Sequence, residues 1–211
     1  MSNSNLHKRD SHDYIYKSPL TFIDSLSSCN NRHIVLYYEN HKYSQKIQFK
    51  FIKNGLLKDE LCVYITHDDD VDVAFIENEM IDYGIDVKTF YEKGLLHIFK
   101  TPNLLNHPKG VLKGSEDFMN KIFSGLKPPF RIVGRIVDEI DTKEQVKASL
   151  SLEKKLHSKF NQFNGLVLCT YDVHNIPRST HGKWVVAILN NHHSAIFVTD
   201  TAEQGIAFDM V

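Results

Sequence analysis

The sequence predicts an α/β fold with three layers, in which a mostly parallel central sheet is flanked by helices on both faces. Short runs rich in Val, Ile and aromatic residues alternate with longer amphipathic stretches along most of the chain. The short runs are apolar at successive positions, as strands require when helices cover both faces of a parallel sheet. With 211 residues and 42% hydrophobic side chains, the chain is long enough to bury a core of its own.

The order of elements follows from this alternation. The predicted strands span residues 33–39, 61–66, 95–100, 130–137, 166–171 and 195–199. The predicted helices span residues 43–56, 70–83, 87–93, 115–125, 143–161 and 178–190, with a short additional helix beginning near Ser18. Residues 101–114 are predicted as a loop because they contain Pro102, Pro108 and Gly110. No element is assigned to residues 200–211.

The spacing of apolar residues identifies the buried side of each long helix. The residues expected there are Ile47, Phe51 and Leu56 in the first helix, Val73, Ile76, Met80 and Ile81 in the second, and Val146, Leu150, Leu156 and Phe160 in the helix at 143–161. Asp68-Asp69-Asp70 is expected to cap the second helix, and Gly84 to end it.

The chain is predicted to form one domain at residues 19–211, preceded by a polar leader at residues 1–18 that is expected to be disordered. The leader lacks the apolar segment of a signal peptide, and no apolar run approaches the length of about 20 residues that a membrane span needs. Three widely spaced cysteines indicate free thiols in a reducing compartment. These features predict a cytoplasmic protein.

The charge of the chain is balanced, with 25 basic and 26 acidic residues and a net charge of −1. A protein that binds nucleic acid or an anionic membrane directly usually presents a basic field. The sequence therefore predicts neither of these partners.

The turn after the first strand differs from the phosphate-binding loop of P-loop ATPases. That loop has the pattern GxxxxGK[ST], and its backbone N–H groups hold phosphates. Here the turn reads ENHKYS at residues 39–44, with no glycine and with the carboxylate of Glu39 where a phosphate would bind. The sequence thus predicts the scaffold of a nucleotide-binding fold without the part that holds a nucleotide.

Several short segments resemble two related families. The stretches at residues 49–69 and 83–99 resemble the region after the phosphate loop in circadian-clock-type RecA ATPases, which are KaiC-like proteins. The missing loop, the segment HIVLYYE at 33–39, the segment LCTYD at 168–172 and the histidine-containing turn at 192–193 resemble the MEDS family, the methanogen/methylotroph DcmR-type sensory domain. The resemblance covers about residues 33–199, and it depends on the order and spacing of motifs that are individually weak.

The resemblance implies a sensory domain that is not an enzyme and has no cofactor. Its implied ligand is a small organic molecule, in the family's case a hydrocarbon derivative, and its implied partner is a signalling or transcription-regulator protein in trans. Two alternatives stay open. One is a ligand-free interaction module that assembles as a homo-oligomer, for which the helix at 143–161 offers a surface. The other is a residual nucleotide-dependent ATPase.

Eight residues are predicted to bind the ligand, chiefly because ligands of parallel sheets bind where strands end. They are His33, Tyr38, Glu39, His67, Arg135, Tyr171, Asp172 and His174. Helix capping is an equal alternative for Tyr171 and Asp172, and a structural hydrogen bond is the alternative for His33. Arg135 follows Gly134 at a position where the family usually has an acidic residue, so the family's role for that residue does not transfer to Arg135.

Twelve histidines raise the question of a metal site. The chain has no HExxH or CxxC pattern, and the adjacent His192 and His193 would point apart in an extended segment. Cys169 and His174 would need distant residues to complete a site. No metal site is therefore predicted, and the histidines are an alternative source of pH response.

Overall fold

The structure is a computed structural model that describes residues 16–66, 72–135, 142–176, 181–200 and 204–210. The strands of this part are β1 (Arg32–Tyr38), β2 (Leu61–Thr66), β3 (Leu96–Lys100), β4 (Phe130–Val133), β5 (Gly165–Asp172), β6 (Ser194–Val198) and β7 (Gly205–Asp209). The helices are α1 (Pro19–Asp24), α2 (His41–Leu56), α3 (Val73–Asp82), α4 (Val87–Glu92), α5 (Val111–Phe123), α6 (Lys143–Lys159) and α7 (His181–Leu189). Within these ranges, no helix combines the length and the apolar character needed to cross a membrane.

The strands form one sheet in the order β3-β2-β4-β5-β1-β6-β7. Every neighbouring pair is parallel except β6 and β7, which are antiparallel. All six residues of β2 and the five central residues of β1 are buried, as expected for strands covered on both faces. The predicted three-layer α/β fold is confirmed.

Each face of the sheet has its own apolar core. Ile34 and Leu36 of β1 face the core that α1 to α4 cover, and Val35 and Tyr37 face the core that α5, α6 and α7 cover. His33 belongs to the same alternating series as Val35 and Tyr37. Its side chain therefore lies on the side of α5, α6 and α7, where the candidate site is found.

The structure corrects several predicted elements. Helix α2 begins at His41 because the Asn40 side chain accepts a hydrogen bond from Tyr43 N at 2.9 Å. Helix α5 already begins at Val111, directly after Gly110, inside the predicted loop. Strand β7 was not predicted. Ile81, predicted to be buried, is 53% exposed.

The structure also bears on the predicted leader and on the predicted cap of the second helix. The last part of the predicted disordered leader is ordered, since Lys17 pairs with Ala207 of β7 and Ser18 caps α1. The predicted cap Asp68-Asp69-Asp70 lies outside the described residues, and the residue that precedes α3 is Asp72.

Candidate functional site

A cavity of about 470 Å³ lies between the sheet and the helices α5 and α6. Apolar side chains of β2, β4 and β5 form its floor, among them Ile65, Ile132 and Val167. Met119 of α5 and Leu156 of α6 are part of its walls. This volume is within the range of about 300–1,000 Å³ that is typical of small-molecule sites.

Four buried side chains meet beside this cavity, and we call them the buried quartet: His33, Glu153, Cys169 and His192. Their donor atoms all lie within 4.8 Å of one another. His33 Nε2 is 3.2 Å from Glu153 Oε2 and 3.3 Å from Cys169 Sγ. Glu153 Oε2 is also 3.5 Å from His192 Nε2 and 3.8 Å from Cys169 Sγ. The quartet therefore converges on one point.

Backbone carbonyls fix both imidazole rings of the quartet. His33 Nδ1 is 2.8 Å from Asn191 O, and His192 Nδ1 is 2.8 Å from Ile188 O. A carbonyl oxygen only accepts hydrogen bonds, so both Nδ1 atoms donate. The rings stack on each other with their centroids 3.8 Å apart, and both Nε2 atoms face Glu153.

Tyr171 connects the quartet to the cavity. Its phenol O–H donates a hydrogen bond to Glu153 Oε1, and Tyr171, Glu153 and Cys169 all line the cavity. Burial, followed by the charge of Glu153, raises the pKa of Tyr171 and of Cys169 well above the usual range. Burial lowers the pKa of His192 to about 3. Burial alone would raise the pKa of Glu153, but His192, His33 and the Tyr171 O–H together lower it to about 2. At neutral pH the protein alone thus keeps a phenol, a thiol and a neutral imidazole around the Glu153 carboxylate.

The local sequence explains how Glu153 becomes buried on a helix with many charges. The buried residues of α6 are Gln145, Ser149 and Glu153, which repeat every four residues and therefore share one face. The Thr142 side chain and the Gln145 side chain cap the start of α6 reciprocally, which fixes the position of this face. Of the four apolar residues predicted to be buried here, Val146, Leu150 and Leu156 are only partly buried, whereas Phe160, just after α6, is buried.

The structure brings three of the predicted site residues together. His33 and Tyr171 both contact Glu153. Arg135 lines the cavity, and its guanidinium carbon lies 5.8 Å from the centre of the Tyr171 ring. These three are the predicted residues that lie at the cavity or at the quartet.

Four other predicted residues lie at the carboxyl edge of the sheet or beyond it, outside the cavity lining. Tyr38 is opposite Asp172 in the pairing of β1 with β5. Glu39 is exposed and accepts a hydrogen bond from Asp200 N at 2.9 Å. Asp172 accepts a hydrogen bond from His174 N at 2.9 Å, which is the capping role considered above, and His174 is exposed. His67, the last predicted residue, lies outside the described residues.

Glu153 and His192 were not predicted as site residues. The polar residues that repeat every four positions in α6 are the one sequence signal that indicates Glu153. His192 and His193 do point in different directions, as expected for neighbours. His192 faces the quartet, whereas His193 Nδ1 accepts a hydrogen bond from His33 N at 2.9 Å. A sequence pattern does not reveal that one of two adjacent histidines faces a distant helix.

The start of α2 is the place where a P-loop ATPase would bind phosphate. Here the Asn40 side chain accepts the Tyr43 N–H at 2.9 Å, so it occupies one of the amides that would face an anion. The neighbouring carboxylate of Glu39 adds a negative charge. The turn is therefore poorly suited to hold a nucleotide phosphate.

Comparisons with known proteins agree with the resemblances predicted from the sequence. Residues 32–192 match the model of the family described as MEDS, methanogen/methylotroph, DcmR sensory domain. A solved KaiC-like protein from the hyperthermophilic archaeon Pyrococcus horikoshii OT3 is similar to the chain, with a TM-score of 0.58 and 14% identity over 84% of this chain and 76% of that one. At this identity the similarity shows the fold alone. No curated protein matches the chain.

Proposed function

The chain belongs to the MEDS family of sensory domains, and we propose that it binds a small organic molecule in the cavity under α5 and α6 and signals to a partner protein. The domain is not an enzyme in this proposal. The cavity is the observation that supports ligand binding, because its volume of about 470 Å³ suits a small molecule.

The lining of the cavity suggests the chemistry of the ligand. Apolar side chains such as Ile65, Ile132 and Met119 surround a hydrocarbon part, while Arg135, Glu153 and Tyr171 offer polar contacts. A small hydrocarbon derivative with one polar group matches this combination. The polar group fixes the orientation of the ligand, and the apolar walls supply most of the binding free energy.

Helix α6 is the element that would transmit binding. It lines the cavity, holds Glu153 of the buried quartet, and packs against both α5 and α7. A ligand shifts a conformational equilibrium only when its affinity differs between the two conformations. A ligand that fits the cavity in one position of α6 meets this requirement, and the partner in trans would recognise that position.

Binding of a series of small molecules to the purified protein tests the proposal. Cyclohexanol, hexanoate and hexylamine share a small hydrocarbon part and differ in the polar group. In ligand-observed NMR, we expect at least one of them to bind the wild-type protein. The Ser149→Leu variant should weaken that binding roughly tenfold or more, because Ser149 is buried on α6 and a leucine there extends into the cavity.

Ser158→Leu is the matched control, since Ser158 lies on the same helix but is exposed and outside the cavity. It should bind the probe as the wild-type protein does. Wild-type protein that binds none of the three probes, or a Ser149→Leu variant that binds with unchanged affinity, would contradict the proposed site.

A further inference from the structure

Four of the six separations among the donor atoms of the buried quartet are close to those of ligands around one metal ion. With Zn–N and Zn–O bonds of about 2.0–2.2 Å and a Zn–S bond of about 2.3 Å, tetrahedral ligands lie about 3.3–3.7 Å apart. Four contacts among the quartet measure 3.2, 3.3, 3.5 and 3.8 Å. To place all four atoms in one coordination shell, the stacked rings of His33 and His192, whose centroids are 3.8 Å apart, would have to separate until both Nε2 lone pairs point at the ion.

The hydrogen bonding of both histidines at Nδ1 is that of metal ligands. Histidines that bind metals usually donate the other ring N–H to a carbonyl or carboxylate, which fixes the ring and leaves one nitrogen lone pair for the ion. His33 and His192 both donate Nδ1–H to backbone carbonyls at 2.8 Å. Their Nε2 atoms are therefore lone-pair acceptors when the rings are neutral.

With both imidazoles neutral, too few protons point to the centre of the quartet for the acceptors that face it. His33 Nε2, His192 Nε2 and Glu153 Oε2 face one another, and both Nδ1–H groups are directed to backbone carbonyls, so the thiol of Cys169 is the one donor of the quartet that faces these acceptors. His192 Nε2 is fully buried and has no hydrogen-bond partner. Buried polar atoms are rarely left in this way. A metal cation at the centre would be coordinated by all of these lone pairs at once.

We infer that the buried quartet is a binding site for one divalent transition-metal ion of the Zn²⁺ type, held by His33 Nε2, His192 Nε2, Cys169 Sγ and a Glu153 carboxylate oxygen. Two imidazoles, one thiolate and one carboxylate are ligands that Zn²⁺ favours in four-coordinate sites. The Tyr171 O–H bonded to Glu153 Oε1 orients the carboxylate from outside the shell.

The ion would lie in the wall of the cavity, because Glu153 and Cys169 line that cavity as well. It would connect β1, α6, β5 and the segment before β6, and so stabilise the position of α6. The four side chains would hold the ion whether or not an organic ligand binds in the cavity. Failure of the binding test with organic probes would therefore not contradict the metal site.

Titration of reduced, metal-stripped protein with Co²⁺ tests this inference. We expect the wild-type chain to bind one Co²⁺, with the strong visible bands of tetrahedral cobalt and a thiolate-to-cobalt charge-transfer band in the near ultraviolet. Zn²⁺ should displace Co²⁺. Cys169→Ser should lose the charge-transfer band, while Cys62→Ser should keep it, because Cys62 is equally buried but lies on the other face of the sheet.

A measurement without variants covers the case in which Cys169→Ser does not fold. X-ray absorption at the zinc edge of the zinc-loaded wild-type protein should show one sulfur and three nitrogen or oxygen ligands, as the quartet contains one cysteine. Wild-type protein that takes up neither ion, a charge-transfer band that persists in Cys169→Ser, or a zinc shell without sulfur would each overturn the assignment.

Discussion

Glu153 is the residue that links the two features of the site. Its carboxylate contacts Tyr171, His33, His192 and Cys169, and it also lines the cavity. In the sequence it stands in the charged segment LEKKLH, where an exposed position is the ordinary expectation for a glutamate. The structure shows instead that it is 6% exposed. A buried carboxylate needs partners on every side, and the residues around Glu153 supply them.

The hydrogen bond from Tyr171 to Glu153 should contribute measurably to stability. Tyr171→Phe removes the O–H but keeps the ring against Trp184, whose centroid is 4.8 Å away. Because Glu153 would lose one donor inside the core, we expect the free energy of unfolding to fall by about 1.5–3 kcal/mol. Urea denaturation of the two proteins, without added metal, measures this difference.

Tyr64→Phe is the matched control for this variant. Tyr64 is also buried, but its O–H donates to the neutral side chain of Gln48 at 2.8 Å. A hydrogen bond to a neutral partner contributes about 0.5–1.5 kcal/mol. A loss for Tyr171→Phe that is equal to or smaller than the loss for Tyr64→Phe would show that Glu153 does not depend on the phenol.

Helix α2 packs closely against the sheet at Gly55, where there is no room for a larger side chain. At Gly55, an added Cβ would lie 2.6 Å from Arg131 Cδ and 2.7 Å from Cys62 Sγ. Arg131 has little freedom to move, since it is fully buried and its Nε donates to Glu60 Oε2 at 2.6 Å. It also donates to Phe51 O at 3.1 Å and lies over the Phe51 ring.

Gly55→Ala should therefore destabilise the protein, although alanine is the better helix former. Overpacking typically costs about 1–3 kcal/mol, while the gain in helix propensity is at most about 1 kcal/mol. We expect a net loss of about 1–2 kcal/mol in chemical denaturation. Gly182→Ala in α7 is the control, because an added Cβ there meets no atom within 4 Å, and it should be neutral or slightly stabilising. Equal effects of the two substitutions would contradict this explanation.

The elements that could be predicted from the sequence are those in which the apolar residues recur with the period of a strand or a helix and are also the residues that the fold buries. Strand β2, buried at every position, was predicted with its observed bounds. Strand β7 is not indicated by the sequence, because it is an edge strand with only Ala207 buried and its apolar run is limited to three residues, Ile206-Ala207-Phe208. Helix α6 was predicted, but its most buried face is polar, because that face is turned to the quartet and the cavity.

At the scale of the whole molecule, the family and the three-layer fold could be predicted, but only part of the candidate site could. The rule that ligands bind at strand ends indicated Arg135 and Tyr171, which are close to the carboxyl ends of β4 and β5. His192 comes just before the amino end of β6, and Glu153 comes from a helix. A rule about carboxyl ends does not indicate such residues, and their convergence depends on tertiary packing.

We propose that the working site of this fold lies under α5 and α6 rather than at the start of α2, which is the position at which P-loop ATPases hold phosphate. Chemical-shift mapping of backbone amides by NMR tests this claim most directly, with cyclohexanol, hexanoate, hexylamine and ATP added in turn. We predict shift changes around Ser115, Ser149 and Val167 with at least one organic probe, and none at residues 40–44 with ATP. Saturable changes at residues 40–44 with ATP, together with an unperturbed cavity for all three organic probes, would contradict it.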